Sequence, residues 1–270
     1  MKKKIVCYCR GGLGNRLIPL ASCYDIAKKT DRELLISWPL HTCCGAKITD
    51  LFDNKFNVVD LDYLLGLDSV KLYAINKNID WESNIHVDCV LSRLRDKFGC
   101  SNINIDLNDE EDAIVVYHNT YLPNYIDNEL ILNLKPIDGL NETINKLSAE
   151  LNLSKDVIGC HIRTTDFNIK PVWYDNLVSK YIKEGKQIFI SADVKESEQY
   201  FINKYPDNII TRDNKNYITK INKNGNWSSN CDMNDGNVKD AVIDIFLLGK
   251  TNFKIYHDRS TFAKIIKIIE

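Results

Sequence analysis

Val157-Ile158-Gly159-Cys160-His161-Ile162-Arg163-Thr164-Thr165-Asp166 decides the reading of this chain. Its first part is β-branched and small apolar, the composition of a short buried strand, and its polar continuation leaves that strand at the carboxyl end. C-terminal to it the theme repeats. Residues 187–191, 208–211 and 253–257 read as strands, and residues 171–183, 195–204, 238–249 and 261–269 read as the helices that alternate with them. Pro171 suits a first helical turn, and short strands alternating with helices imply right-handed crossovers on a parallel sheet. The second half is therefore expected to be Rossmann-like.

N-terminal to the quoted stretch the pattern is less regular but of the same kind. A strand at 3–9, a glycine turn, a helix at 15–29 and a strand at 33–38 open the chain, with further strands expected at 55–59, 70–75 and 113–118. Residues 87–98 read as an amphipathic helix, 102–112 as a polar loop and 140–151 as a helix. The polar run 152–155 then marks the expected boundary between residues 1–152 and 153–270. The Asn- and Gly-rich stretch 214–237, with Trp227 inside it, reads as either a functional loop or a disordered one.

At 270 residues the chain is long enough to bury a sizeable core, which suits an enzyme. Its 35 basic and 37 acidic residues are interspersed and leave a net charge of −2, so no nucleic-acid partner is expected. Lys2, Lys3 and Lys4 form a short basic cluster that reads as a solvated terminus. The apolar segment from Ile5 meets Arg10 and a glycine pair too soon for a signal sequence or a membrane span, so a cytoplasmic protein is expected. Nine cysteines are an odd number. Cys7, Cys9, Cys23 and Cys160 lie in apolar patterns and read as reduced, packed thiols. Cys43 and Cys44 beside His41 invite a zinc reading, but adjacent cysteines poorly supply a tetrahedron and no Cys-x-x-Cys pair accompanies them, so no metal is expected.

Three constellations could carry chemistry. Arg10-Gly11-Gly12-Leu13-Gly14-Asn15-Arg16-Leu17 is a glycine turn feeding a helix, whose free amides suit an anion or a sugar hydroxyl. It matches neither the full dinucleotide fingerprint nor a Walker loop, and a plain strand-to-helix turn would look the same. The second is His161, Arg163 and Asp166 at a strand's carboxyl end, where open α/β sheets bind ligands. Arg163 offers a fixed fork of donors to phosphate, Asp166 could orient it, and His161 could donate to a nucleotide or simply pack. The third runs from Asp244 through the last strand to Ser260 and Thr261, which open the last helix as a cap or as an anion site.

Together the three islands, in this order, resemble a known superfamily. The glycine turn is similar to the Gly-Gly-Leu-Gly-Asn-Gln opening of bacterial α-1,2-fucosyltransferases and to the Gly-x-x-Gly-Asn turn of protein O-fucosyltransferases. His161, Arg163 and Asp166 resemble the His-x-Arg-Arg-x-Asp motif shared by α-1,2-, α-1,6- and O-fucosyltransferases. Asp244 to Phe262 resembles their Asp-x-x-Leu-(Leu/Met) helix, strand and Ser-Ser-Phe segment, with Ser260 sixteen positions after Asp244. Three departures accompany the resemblance: Thr164 in place of a second arginine, Arg16 in place of glutamine, and Asp258-Arg259 in place of a small neutral pair.

The resemblance implies an α/β, GT-B-like fold, with two Rossmann-like domains whose parallel sheets face a central cleft, the first on the acceptor side and the second binding the nucleotide sugar. It implies inverting, metal-independent transfer of fucose from GDP-fucose to a glycan hydroxyl, with no cofactor beyond the donor substrate. Residue by residue it places Arg163 on the diphosphate, His161 and Asp244 near guanine or ribose, Ser260 and Thr261 at the phosphates, and Asn15 at the reacting centre. Gly12 and Gly14 accompany Asn15 as donor-side backbone. Asp25, Asp50 and Asp166 are equal candidates for the general base. Alternative readings are a transferase for another nucleotide sugar and a non-catalytic GDP-sugar-binding protein. A Rossmann oxidoreductase lacks its glycine fingerprint, and its second strand begins with Glu33 and ends on Trp38 rather than on an acidic residue.

Overall fold

The structure is a computed structural model that describes residues 2–74, 89–102, 104–118, 122, 127–164, 169–217 and 233–270. Two compact units make up the chain. The first comprises Met1–Leu40 and Asn54–Asn133, the second His41–Asp53 and Leu134–Glu270.

The first unit is built on a five-stranded parallel sheet. Its strands are β1 (Lys4–Cys9), β2 (Glu33–Ser37), β3 (Val70–Ala74), β4 (Ser101–Asn102) and β5 (Ala113–His118), in the order β2-β1-β5-β3-β4. The near-continuous apolar runs of β1 and β5 are those of central strands covered on both faces. One face of the sheet, with Val6, Tyr8, Leu72, Val115 and Tyr117, packs with Leu91 and Leu94 of helix α2 (Cys89–Phe98). Helix α1 (Leu13–Lys29) follows β1 directly and packs on it. Helix α3 (Glu129–Leu132) is a single turn that sequence periodicity does not reveal.

The expected strand at 55–59 is absent: only Val58 forms an isolated bridge, to Ile36. Lys55, Asn57 and the half-exposed Val58 offer no face to bury, so nothing holds the segment in the sheet. Conversely, the residues expected to open a polar loop at 102 include the end of β4, a two-residue edge strand too short to leave a pattern.

The second unit carries a four-stranded parallel sheet in the order β8-β7-β6-β9: β6 (Ile158–Ile162), β7 (Ile188–Ala192), β8 (Ile209–Ile210) and β9 (Asn252–Ile255). Helices α5 (Val172–Lys183), α6 (Lys195–Lys204), α7 (Asp235–Lys250) and α8 (Thr261–Ile269) connect and follow these strands as read from the sequence. Helix α4 (Asp138–Glu150) buries Leu140 and Ile144 and packs on α7, so it belongs to this unit. The polar run 152–155 separates the two sheets, yet the compact units divide earlier. It is the turn that ends α4, with Asn152 at φ 50°, rather than an interdomain linker.

The excursion His41–Asp53 also belongs to the second unit. It is tied there by hydrogen bonds between Gly45 N and Met233 O (2.8 Å), Met233 N and Thr42 O (2.7 Å), and Asp53 N and Lys135 O (2.8 Å). A side chain at Gly45 would lie 2.8 Å from the Met233 carbonyl oxygen, so the close approach requires glycine.

Gly159 is the other place where packing demands glycine. It sits in β6 where the register with β9 shifts, and a Cβ there would collide with Thr251 Oγ1 and with Phe253. We expect Gly159→Ala to lower stability by about 1–3 kcal/mol through overpacking, measured by urea unfolding. An unchanged midpoint would show that β9 yields freely at this point.

Candidate functional site

The carboxyl end of β6 gathers two of the three sequence islands. In the register of β6 and β7, His161 pairs with Ser191 and Ile162 with Ala192. His161 is buried, and its ring stacks on Phe262 of α8 with centroids 4.5 Å apart and planes at 25°. The strand-end motif and the start of the last helix therefore meet through one aromatic contact. His161 Nδ1 is buried without a hydrogen-bond partner among the described residues. Burial above all, then the positive charges of Arg163 and Lys215, lower the His161 pKa from 6.5 to about 3, against an opposing pull from Asp244. The imidazole is thus neutral at physiological pH.

Arg163 follows half-buried, at the point where the strand ends. Thr164, the residue in place of a second arginine, gives its backbone N–H to both oxygens of Asp193 (3.1 and 3.0 Å) and its hydroxyl to Asp193 Oδ1 (3.1 Å). Asp166 lies outside the described residues. Ser260 is buried and caps α8, its Oγ accepting from Ala263 N at 3.2 Å, and Thr261 is the helix's first residue. The capping role read as one alternative is the one this geometry contains. The same helix end still directs its first amides and the positive end of its dipole outward.

Asp244, on α7, is not a free carboxylate. Arg212 Nε donates to its Oδ1 at 2.6 Å, while Ser191 Oγ (2.7 Å) and Lys215 Nζ (2.6 Å) reach its Oδ2. Lys215 also donates to Ser191 Oγ (3.1 Å) and to the Ala192 carbonyl (2.5 Å), with Glu198 Oε1 at 3.4 Å. Arg212 Nη2 donates to Asp240 Oδ1 (2.7 Å), and Asp240 Oδ2 accepts from Asn216 N (2.8 Å) and Nδ2 (2.7 Å). Burial alone would raise the Asp244 pKa, but Lys215 and Arg212 outweigh it and the net shift is downward. Burial raises that of Glu198, against the pull of Lys215 and Tyr217.

Arg212, Lys215, Ser191, Glu198 and Asp193 were not singled out from sequence. Ser191 and Asp193 do stand at a strand's carboxyl end, the one signal available for them. Arg212 and Lys215 lie 32 and 29 residues before Asp244, in a polar stretch without periodicity.

The glycine turn belongs to the first unit. Gly11 adopts φ 72°, Gly12 is the N-cap of α1, and Gly14 is buried in the first turn. Asn15 is half-buried, with its side chain folded over Gly11: a Cβ on Gly11 would lie 3.1 Å from Asn15 Nδ2. Arg16 is fully buried, donating from Nε to Gly11 O (2.7 Å) and from Nη1 to Pro39 O (2.9 Å), with its guanidinium 4.8 Å from the Trp38 ring centroid. Asp25 is buried within α1 and paired with Lys29 at 2.6 Å, and Asp50 ends a short 3-10 turn. Cys43 and Cys44 are buried beside a reciprocal backbone pair between His41 and Cys44, and Cys7, Cys9, Cys23 and Cys160 are buried cysteines outside any disulfide. Among the described residues, no group of three or more His, Cys, Asp or Glu is placed to hold a metal, and no helix is long and apolar enough to cross a membrane.

No protein-family model matches the chain, and no curated protein matches it in sequence. Solved structures do match its fold. NodZ α-1,6-fucosyltransferase soaked with GDP-fucose aligns with a TM-score of 0.65 at 17% identity, over 99% of this chain and 93% of that one. Fucosyltransferase NodZ from Bradyrhizobium gives 0.61 at 18% identity, over 99% and 93%. A variant of Arabidopsis thaliana FUT1 in complex with GDP gives 0.61 at 16% identity, over 100% and 68%. POFUT1 in complex with GDP gives 0.58 at 13% identity, over 99% and 94%. The chain thus has the α/β, GT-B-like fold of these fucosyltransferases, with a parallel sheet in each unit.

Two outcomes follow from the site's electrostatics. Asp244→Ala strands Arg212 and Lys215 without their shared counter-charge and should destabilise the protein by about 3–5 kcal/mol, whether or not nucleotide is present. A loss below about 1 kcal/mol in urea unfolding would mean that the network does not brace this unit. His161 gives a pH signature. The unfolded chain binds its proton below about 6.5 and the folded chain only near 3, so this contribution to stability is complete above 6.5 and is lost as pH falls towards 3. His161→Phe should flatten the stability curve in that window by about one proton relative to the parent, and parallel curves would contradict the assignment.

Proposed function

We propose that this chain is an inverting, metal-independent glycosyltransferase that transfers fucose from GDP-fucose to a glycan hydroxyl. The observation that carries this reading is the convergence of the His161 to Arg163 strand end with the Ser260 to Phe262 helix start, joined by the 4.5 Å His161–Phe262 stack, within a fold shared with fucosyltransferases. Ligands of parallel α/β sheets bind beyond the carboxyl ends of the strands, where Arg163 emerges.

The chemistry assigned to these groups is simple. The acceptor hydroxyl attacks the anomeric carbon in line, the C1–O bond to the diphosphate breaks, and negative charge collects on the leaving group. Arg163 supplies a fixed cationic fork to that charge, and the N-terminal amides of α8 supply preorganised dipoles. Neutral His161, whose Nδ1 has no hydrogen-bond partner among the described residues, is assigned to bond the nucleoside. Thr261 lines the helix end at the phosphates, and Ser260 holds that end in shape. Asn15, braced over the glycine turn with Gly12 and Gly14, acts on the reacting centre. Among the general-base candidates, Asp25 is already paired with Lys29, which leaves Asp50 and Asp166. The protein is proposed to act in the cytoplasm.

Transfer from a different nucleotide sugar is the second reading. It is favoured by Asp244, whose two oxygens already hold Arg212, Ser191 and Lys215 and have little capacity left to select a base.

Thermal shift against GDP, UDP and NAD separates the readings. Stabilisation by GDP alone supports GDP-fucose, UDP supports the second reading, and sugar release from the donor distinguishes an enzyme from a binder. Activity is expected to persist in EDTA, and rescue of an EDTA-inhibited enzyme by magnesium or manganese would overturn metal independence. Arg163→Lys should lose roughly ten- to a hundredfold in kcat/KM although charge is kept, because a point charge replaces a bidentate fork. Near-parental rates would remove Arg163 from the site.

A further inference from the structure

Arg163 is the first residue after β6, one step past the register with β7, and backbone ladder pairing ends there. A phosphate clamp at such a point would swing with its own backbone unless something replaced the missing ladder. Both peptide groups that flank Arg163 end on Asp193, the residue that follows the neighbouring strand β7. The Ile162 carbonyl accepts from Asp193 N at 3.2 Å, and Thr164 N donates to Asp193 Oδ1 and Oδ2 at 3.1 and 3.0 Å. The Thr164 hydroxyl adds a third bond to Oδ1 at 3.1 Å and lies 3.4 Å from Ser197 Oγ, which is buried in the first turn of α6. The Asp193 carboxylate therefore extends the sheet by one residue through a side chain, with Arg163 between the two clasped peptides.

We propose that Asp193 is the positioning residue of the Arg163 clamp, which it holds through the Thr164 backbone in the geometry needed by a diphosphate. This rests on the nucleotide-sugar reading of the site. The physical case is one of preorganisation. An arginine side chain has several rotatable bonds, and its fork meets two phosphate oxygens only if its Cα is fixed to within a fraction of an ångström. A carboxylate accepting from a backbone N–H makes a charge-assisted bond, about twice as strong as a neutral one, and two such oxygens together fix both position and direction. Asp193 need not touch the donor to act. Thr164 fits this arrangement better than an arginine would, since its short hydroxyl closes back on the carboxylate that holds its own N–H.

A double-mutant cycle tests this with GDP affinity by calorimetry and GDP release from GDP-fucose, water serving as acceptor. Asp193→Ala should weaken GDP binding and lower kcat/KM by about tenfold, Asp193→Asn should recover most of both, and melting temperatures should move little. In an Arg163→Ala background, Asp193→Ala should change neither quantity by more than about twofold, because the residue it positions is gone. Equal losses in both backgrounds, or parental values for Asp193→Ala alone, overturn the proposal. If the alanine variant does not fold, Thr164→Val, which removes the hydroxyl bond to Asp193 Oδ1, gives the same comparison with and without Arg163→Ala: a loss in the parent background that vanishes without Arg163 supports the proposal, and equal losses overturn it. A parent protein that neither binds GDP nor releases it from GDP-fucose overturns the nucleotide-sugar reading itself, and the positioning role with it. Losses that add in an active parent overturn only the latter.

Discussion

The second unit is organised around one buried carboxylate. Asp244 draws together elements that backbone pairing leaves apart: α7, which carries it; β7, through Ser191; and the segment after β8, through Arg212 and Lys215. Removing several charges from water costs several kcal/mol per ion, and that cost is offset only where nearly every donor and acceptor is matched. Here the matching is close to complete. Each oxygen of Asp244 is occupied, Lys215 finds three acceptors within 3.1 Å, and Arg212 spans two carboxylates. An apolar core would supply as much stability with less desolvation. What the ionic cluster supplies in addition is fixed direction at the carboxyl end of the sheet.

That rigidity bears on the neighbouring imidazole. His161 lies beside Ser191 in the register, so the face that carries the cluster is the face that carries the ring. Lys215 and Arg163 contribute positive potential, burial strips water away, and a charged imidazolium is disfavoured on both counts. A neutral ring keeps one nitrogen as acceptor and one as donor. The positive field is then left to Arg163 and to the end of α8, and on the proposed reading a departing diphosphate uses it there.

Much of this was legible in the sequence, and the limits have physical causes. The βα alternation of the second half was readable because strands buried on both faces must be largely apolar, and β6 and β7 are buried at every residue with only His161 and Ser191 polar, while the edge strand β9 keeps Phe253 and Ile255 buried beside an exposed Lys254. Strand-end placement marked His161 and Arg163, and the N-cap pattern marked Ser260. The assignment of α4 failed because a polar turn in sequence does not distinguish a linker from a helix end, and only the packing of Leu140 and Ile144 decides it. Asp244 was found, but as a donor contact. Its partners Arg212 and Lys215 come from a polar stretch in which charged residues look like solvated loop, and ion pairing across some thirty residues leaves no local pattern.

Two of the departures from the fucosyltransferase pattern, at residues 16 and 164, are explained locally. A glutamine carries both of its donors on one nitrogen, whereas Arg16 reaches Gly11 O and Pro39 O from two different nitrogens. The Arg16 guanidinium also covers the Trp38 ring from a fully buried position and so fixes the positive-φ turn at Gly11 against the end of β2. At position 164 the substitution removes a cation but completes the clasp on Asp193, so that the neighbouring Arg163 is more constrained as the local positive charge falls. At position 16 the different side chain bonds two backbone carbonyls, and at 164 it bonds the carboxylate that already accepts from its own backbone N–H. What both side chains hold in this chain is the backbone geometry at the two motifs: the turn at Gly11 and the strand end at Arg163.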